Sequence, residues 1–189
     1  MATPEAIVIG CSAGGLTALE TLFSGLLPVL PQPIAVCCHT GSSTVDLMCE
    51  LLARHASMPV VEARERAPLD GGVIHVAPSG YHLLVEANRR FALSVDERVS
   101  YARPSIDVLF ESAAEAYRDG LIGILLTGAN RDGAEGLARI RHRGGLAIVQ
   151  DPADAESSAM PLAALDIAGA DHCVPLAAIA PLLNRLCLP

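Results

Sequence analysis

The segment Ile7-Val-Ile-Gly10-Cys-Ser12-Ala-Gly14-Gly15 narrows most sharply what this chain can fold into. A short apolar run stops at a turn in which one serine stands among glycines, and a helical pattern follows at once. A continuous apolar run bounded by glycine suits a strand buried on both faces. A strand that turns straight into a helix opens a βαβ unit. At such a turn the serine hydroxyl lies at the mouth of a parallel sheet. It also lies at a helix start, where free backbone N–H groups favour negative charge. The same residues suit a serine nucleophile and a phosphate-cradling loop, so both readings stand at this point.

The remainder of the chain repeats the alternation. Ala6–Cys11, Pro33–Cys38 and Met58–Glu62 read as strands, and Gly15–Leu26 and Ser42–His55 as helices. Val73–Ala77, His82–Glu86 and Arg90–Val95 are β-like. The last two are joined near Asn88, a residue that tolerates the left-handed geometry of a tight turn. Beyond them come a helix over Ser105–Arg118, a continuous apolar strand over Leu121–Leu126 and a helix over Ala134–His142. Leu146–Val149 and His172–Val174 read as strands, and Ala159–Ala168 and Ala177–Leu186 as helices. The expected fold is therefore α/β: one doubly wound, mainly parallel, Rossmann-like three-layer domain over residues 1–189, with an inserted antiparallel hairpin.

Composition removes several function classes. The net charge of −8 argues against nucleic-acid binding, which calls for a basic face. No apolar run approaches the roughly 18 residues of a membrane span. The N-terminus has no basic leader and runs into a strand, so a cytoplasmic location is expected. Six cysteines without a C-x-x-C pair read as buried free thiols of a reducing compartment.

Ligands of open α/β sheets bind beyond the carboxyl ends of the strands. The first strand ends at Ser12, the second at His39, and the long apolar strand runs into Thr127-Gly-Ala-Asn130-Arg-Asp132-Gly133. These are the residue types that acyl transfer needs. A serine hydroxyl needs a base to take its proton, an imidazole serves as base and then acid, and a carboxylate fixes the imidazole's tautomer. A dinucleotide site would place an acid where His39 stands, and the chain has no P-loop Gly-Lys-Ser/Thr and no lysine. The six histidines are scattered without metal-ligand spacing, so no metal is expected. His82, at the hairpin entrance, is a further candidate for the neighbourhood of the site.

Several stretches together resemble the catalytic domain of the bacterial chemotaxis protein-glutamate methylesterases. They are Ile9–Gly15, Val36–His39, Ala77–His82, Arg103–Phe110, Leu125–Ala134 and Val149–Asp151, with Ala159–Pro161 a weaker match. The resemblance implies a Ser12, His39, Asp132 triad and no cofactor. It implies hydrolysis of glutamate γ-methyl esters on the cytoplasmic helices of chemoreceptors, with deamidation of receptor glutamines as a related activity. Backbone N–H groups near Ala13, Gly14 and Ala129 are the expected oxyanion donors. Arg103 and Arg131 are the expected steering charges for an acidic receptor.

The chain departs from the family pattern at Ala13, where threonine is usual, and at Thr40-Gly41, where a hydrophobic residue and proline are usual. It also has Gly128-Ala129-Asn130 where the family has Gly-Met-Gly. The phospho-receiver domain that often precedes such domains is absent from residues 1–189; a piece of a longer chain, a stand-alone member and a member regulated by a separate receiver or other partner are the alternatives. Two alternatives follow from these departures: a catalytically weak domain that docks on receptors or another partner, and a small-molecule esterase.

Overall fold

The structure, a computed structural model, describes residues 3–39 and 45–188. Its strands are β1 (Ala6–Cys11), β2 (Ile34–Cys38), β3 (Val60–Glu62), β4 (Ile74–Val76), β5 (His82–Val85), β6 (Phe91–Ser94), β7 (Leu121–Leu125), β8 (Leu146–Gln150) and β9 (His172–Val174). Its helices are α1 (Gly15–Ser24), α2 (Val45–Ala53), α3 (Ile106–Tyr117), α4 (Ala134–His142), α5 (Ala159–Ile167) and α6 (Leu176–Cys187). The expected first turn of the second helix, 42–44, lies outside the described residues, as do Thr40 and Gly41.

Seven strands form one sheet in the order β3-β4-β2-β1-β7-β8-β9, and every pairing in it is parallel. β5 and β6 form a separate antiparallel hairpin. The segment around Val73–Ala77, adjacent in sequence to that hairpin, instead enters the main sheet as β4. The doubly wound α/β architecture with its inserted hairpin is thus as the sequence indicates.

Side chains alternate across a strand, and β1 shows how that builds two cores. Ile7, Ile9 and Cys11 face one layer, with Leu19, Leu22 and Phe23 of α1, Leu52 of α2 and Leu183 of α6. Ala6 and Val8 face the other, with Phe110 of α3, Leu137 of α4, Met160 of α5 and Phe91 of the hairpin. Both faces of the central strands are covered, which explains their unbroken apolar character.

One packing contact positions the functional edge. Ile106, Leu109 and Phe110 of α3 are fully buried, each contributing roughly 2 kcal/mol of apolar burial. A Cβ on Gly10 would collide with the Ile106 side chain. Glycine inside the β1 run therefore lets the first turn of α3 lie against the strand, just below the Ser12 turn.

Candidate active site

β1 is flanked by β2 on one side and β7 on the other, so the chain leaves it in one direction and returns on the opposite side. This is a topological switch point, and the sheet opens there at the strands' carboxyl ends. Backbone bonds hold the three loops that meet at it. Ser12 N–H donates to Thr127 O at 3.0 Å, and His39 N–H donates to Cys11 O at 3.1 Å.

The Ser12 turn is tight, with Gly15 N–H donating to Ser12 O at 2.8 Å. Gly14 has φ 76°, and a Cβ there would meet the Glu156 carboxylate at 2.6 Å. Both constraints require glycine. The Thr127 hydroxyl donates to Ala13 O at 2.9 Å and so fastens the turn to the β7 loop. Ser12 is partly exposed. Among the described residues its Oγ makes no hydrogen bond, and the N–H groups of Ala13 and Ala129 donate to no acceptor.

His39 and Asp132 form the strongest polar contact of the site. His39 Nε2–H donates to Asp132 Oδ2 at 2.7 Å, with the two side chains 15% and 0% exposed. A buried carboxylate is costly unless its lone pairs are filled. Three further donors fill them, all from the start of α3. Ile106 N–H reaches Oδ2 at 2.7 Å, the Ser105 hydroxyl reaches Oδ1 at 2.8 Å and Asp107 N–H reaches Oδ1 at 3.0 Å. Burial pushes the Asp132 carboxyl upward, but the His39 ring and these donors outweigh it and hold the acid below its ordinary range. The helix start adds its own favourable field.

The neighbouring Asp107 goes the other way. Burial pushes its carboxyl up to about 7, Gly136 N–H opposes that, and the Asp132 charge reinforces it. Gly136 N–H donates to its Oδ1 at 2.7 Å. An acid raised by folding contributes stability that is complete below its unfolded value of 3.8 and is lost as pH climbs towards 7. Asp107→Asn keeps an acceptor for Gly136 and removes the charge. It is expected to be more stable than the parent above pH 7, on the order of 2 kcal/mol, with the gap closing towards pH 4. Thermal unfolding across a pH series checks this, and a gap independent of pH would contradict it.

The remaining sequence candidates take other positions. His82 is buried, with Nε2–H donating to Glu97 O at 2.8 Å and Nδ1 accepting from Ser105 N–H at 3.2 Å. It stands behind Asp132 and reaches it through Ser105. The Arg103 guanidinium donates to the carbonyls of Val95 and Asp96 at 2.9 and 3.0 Å, and so braces a loop. Arg131 pairs with Glu135 at 3.1 Å on the surface. Of the six thiols Cys173 is exposed, on edge strand β9, in contrast to the burial expected for all. No group of residues suited to a metal ion occurs among the described residues. A cavity of about 830 Å³ opens at the amino ends of β7 and β8, lined in part by Gln32, Asp119 and Arg185. It lies at the opposite edge of the sheet from Ser12.

Residues that the sequence reasoning passed over are Ser105, Asp107 and the amide of Asn130. The first two fall within Arg103–Phe110, a stretch visible in the sequence. The signal that they serve Asp132 is Gly10, which marks the close approach of α3.

A wholly parallel, doubly wound sheet, with an acid-bound histidine on the strand end next to a partly exposed serine at its switch point, defines a three-layer α/β domain with its candidate site at the carboxyl edge. The chain belongs to the CheB methylesterase family, whose profile matches residues 7–183. It superposes on the crystal structure of the Thermotoga maritima CheB methylesterase catalytic domain with a TM-score of 0.93 at 27% identity, covering 98% of this chain and 100% of that one. A Leptospira interrogans relative, provisionally named protein-glutamate methylesterase/protein-glutamine glutaminase, is 46% identical over 186 residues, 96% of this chain and 94% of the relative. The Myxococcus xanthus protein-glutamate methylesterase FrzG is 35% identical over 173 residues, 92% of this chain and 52% of that longer protein.

Proposed function

We propose that this domain is a serine hydrolase that removes methyl esters from glutamate side chains of chemoreceptor cytoplasmic helices, with glutamine deamidation as a related activity. The observation that carries the reading is the 2.7 Å His39–Asp132 bond at the switch point occupied by Ser12. Family membership and the names of the relatives support the substrate class. The cytoplasm, where those receptor helices lie, is the proposed place of action. Among the described residues no helix is long and apolar enough to cross a membrane.

In this reading Ser12 Oγ attacks the ester carbonyl carbon while His39 takes the hydroxyl proton. Asp132 holds Nε2–H, so Nδ1 is the nitrogen that serves as base. The oxyanion accepts from the unengaged N–H groups of Ala13 and Ala129. Collapse breaks the bond to the methoxy oxygen, which leaves as methanol with the proton from His39. Water, deprotonated by the same ring, then cleaves the acyl-serine and restores Ser12.

The test is incubation with methylated receptor cytoplasmic fragments and measurement of released methanol, alongside a fluorophosphonate probe and mass spectrometry of the labelled residue. Methanol release together with labelling at Ser12 is expected. Labelling without receptor turnover points to a small-molecule esterase, and neither result points to a docking domain; each outcome overturns the reading.

A further inference from the structure

The structure assigns a second positioning residue to the histidine: we infer that Asn130 reinforces the His39 tautomer that Asp132 sets and presents Nδ1 as the free base. The inference rests on the reading of His39 as the general base. It deepens that reading with a group that has no part in the serine–histidine–aspartate scheme.

The argument starts from the carboxamide, whose two ends are chemically distinct. Asn130 Oδ1 accepts Asp132 N–H at 3.0 Å, across two residues of the same loop. A backbone N–H can only donate, so that contact identifies the oxygen end of the amide. The other end is then Nδ2, a pure donor, and it lies 3.4 Å from His39 Nδ1. A donor facing Nδ1 requires a lone pair there. The ring proton must therefore sit on Nε2, where Asp132 Oδ2 receives it at 2.7 Å. One short loop thus holds both ring nitrogens, and the two contacts specify the same neutral tautomer.

The two bonds differ in length, and the difference suits the chemistry. The bond to Asp132 is short and charge-assisted, and keeps the ring in place. The bond from Asn130 is long and weak, so the serine hydroxyl can displace it at little cost. Asn130 therefore holds the lone pair in readiness before the substrate arrives and yields it when Ser12 Oγ–H approaches. A glycine at this position would provide neither contact.

Asn130→Asp and Asn130→Ala separate this role from a purely structural one. Aspartate is close to isosteric and retains an oxygen for Asp132 N–H, so support of the loop alone predicts that Asn130→Asp outperforms Asn130→Ala. Tautomer control predicts the reverse order, because a carboxylate oxygen facing Nδ1 retains a proton there and blocks the base. Asn130→Ala is expected to lower kcat about threefold to tenfold, the worth of one modest hydrogen bond, with KM little changed. Asn130→Asp is expected to fall further.

The second readout needs no substrate. Nitrogen-15 NMR of the His39 ring in the parent protein should show Nε2 protonated and Nδ1 unprotonated in the neutral form, and Asn130→Ala should shift the Nδ1 resonance as its hydrogen bond is lost while the proton stays on Nε2. A parent ring protonated on Nδ1, an Asn130→Asp enzyme as active as the parent, or an Asn130→Ala enzyme with unchanged kcat and unchanged spectrum overturns the inference. Because the ring spectrum does not depend on turnover, it fails separately from the assignment of the substrate.

Discussion

Ser12→Ala is expected to reduce methanol release from methylated receptor by about 10⁶-fold in kcat, leaving only the residual rate that the oxyanion donors and binding supply. Without Oγ there is no atom to form the acyl intermediate, and the remaining donors act only on whatever water reaches the ester. The same change should leave the fold untouched. Among the described residues Ser12 Oγ makes no hydrogen bond, and the turn is held by backbone atoms, Ser12 N–H to Thr127 O and Gly15 N–H to Ser12 O. Unaltered thermal unfolding together with lost turnover is the expected pair of results. Retained turnover would refute the assignment of the nucleophile.

Asp132→Asn is expected to cost about 10⁴-fold in kcat, the scale seen when a triad histidine is left in the wrong tautomer. The reason is visible in the donor count. Oδ1 and Oδ2 each receive two donors, one of each pair a backbone N–H that can never accept. Replacing either oxygen with NH₂ sets donor against donor. Ile106 and Asp107 present backbone N–H groups that cannot change, so the accommodating partner is the Ser105 hydroxyl when the NH₂ takes the Oδ1 position and the histidine when it takes the Oδ2 position. The histidine can move its proton to Nδ1 and accept at Nε2, which removes the lone pair from Nδ1, the proposed base. The substitution should also lower the melting temperature, because amides at the start of α3 lose a charged acceptor. Kinetics and thermal unfolding of the purified variant measure both effects, and kcat within tenfold of the parent would contradict the argument.

The sequence reveals elements whose signals are local. Leu121–Leu125 is apolar throughout because both faces of β7 are covered, and Ser12, His39 and Asp132 are conspicuous because each follows the end of a strand. Their surroundings depend on contacts between segments distant in the chain. Ser105, Ile106 and Asp107 lie 25 to 27 residues before Asp132, and no periodicity links them to it. His82 looks like a candidate for the site itself, and only the folded chain shows it bonded to Ser105 N–H. Arg103 reads as a free cation because charges are usually solvated, yet the carbonyls of Val95 and Asp96 hold its guanidinium. Asn130 reads as a departure from a family pattern, and its two-ended contact follows from a loop geometry that the residue types do not encode.

The placement of β1 between β2 and β7 has a consequence for how the chain assembles. Pairing β1 with β2 brings Ser12 and His39 to adjacent strand ends through a comparatively short excursion of the chain. Asp132 is 93 residues beyond His39 and arrives only when β7 docks on the other side of β1. Closing that longer loop carries the greater entropic cost and raises the contact order of the whole domain. The His39–Asp132 bond therefore cannot exist in a half-built sheet. On the proposed reading of Ser12 as nucleophile, the serine emerges early in synthesis and gains its acid-bound histidine only once the β7 loop has docked, so reactivity and completion of the fold are acquired together.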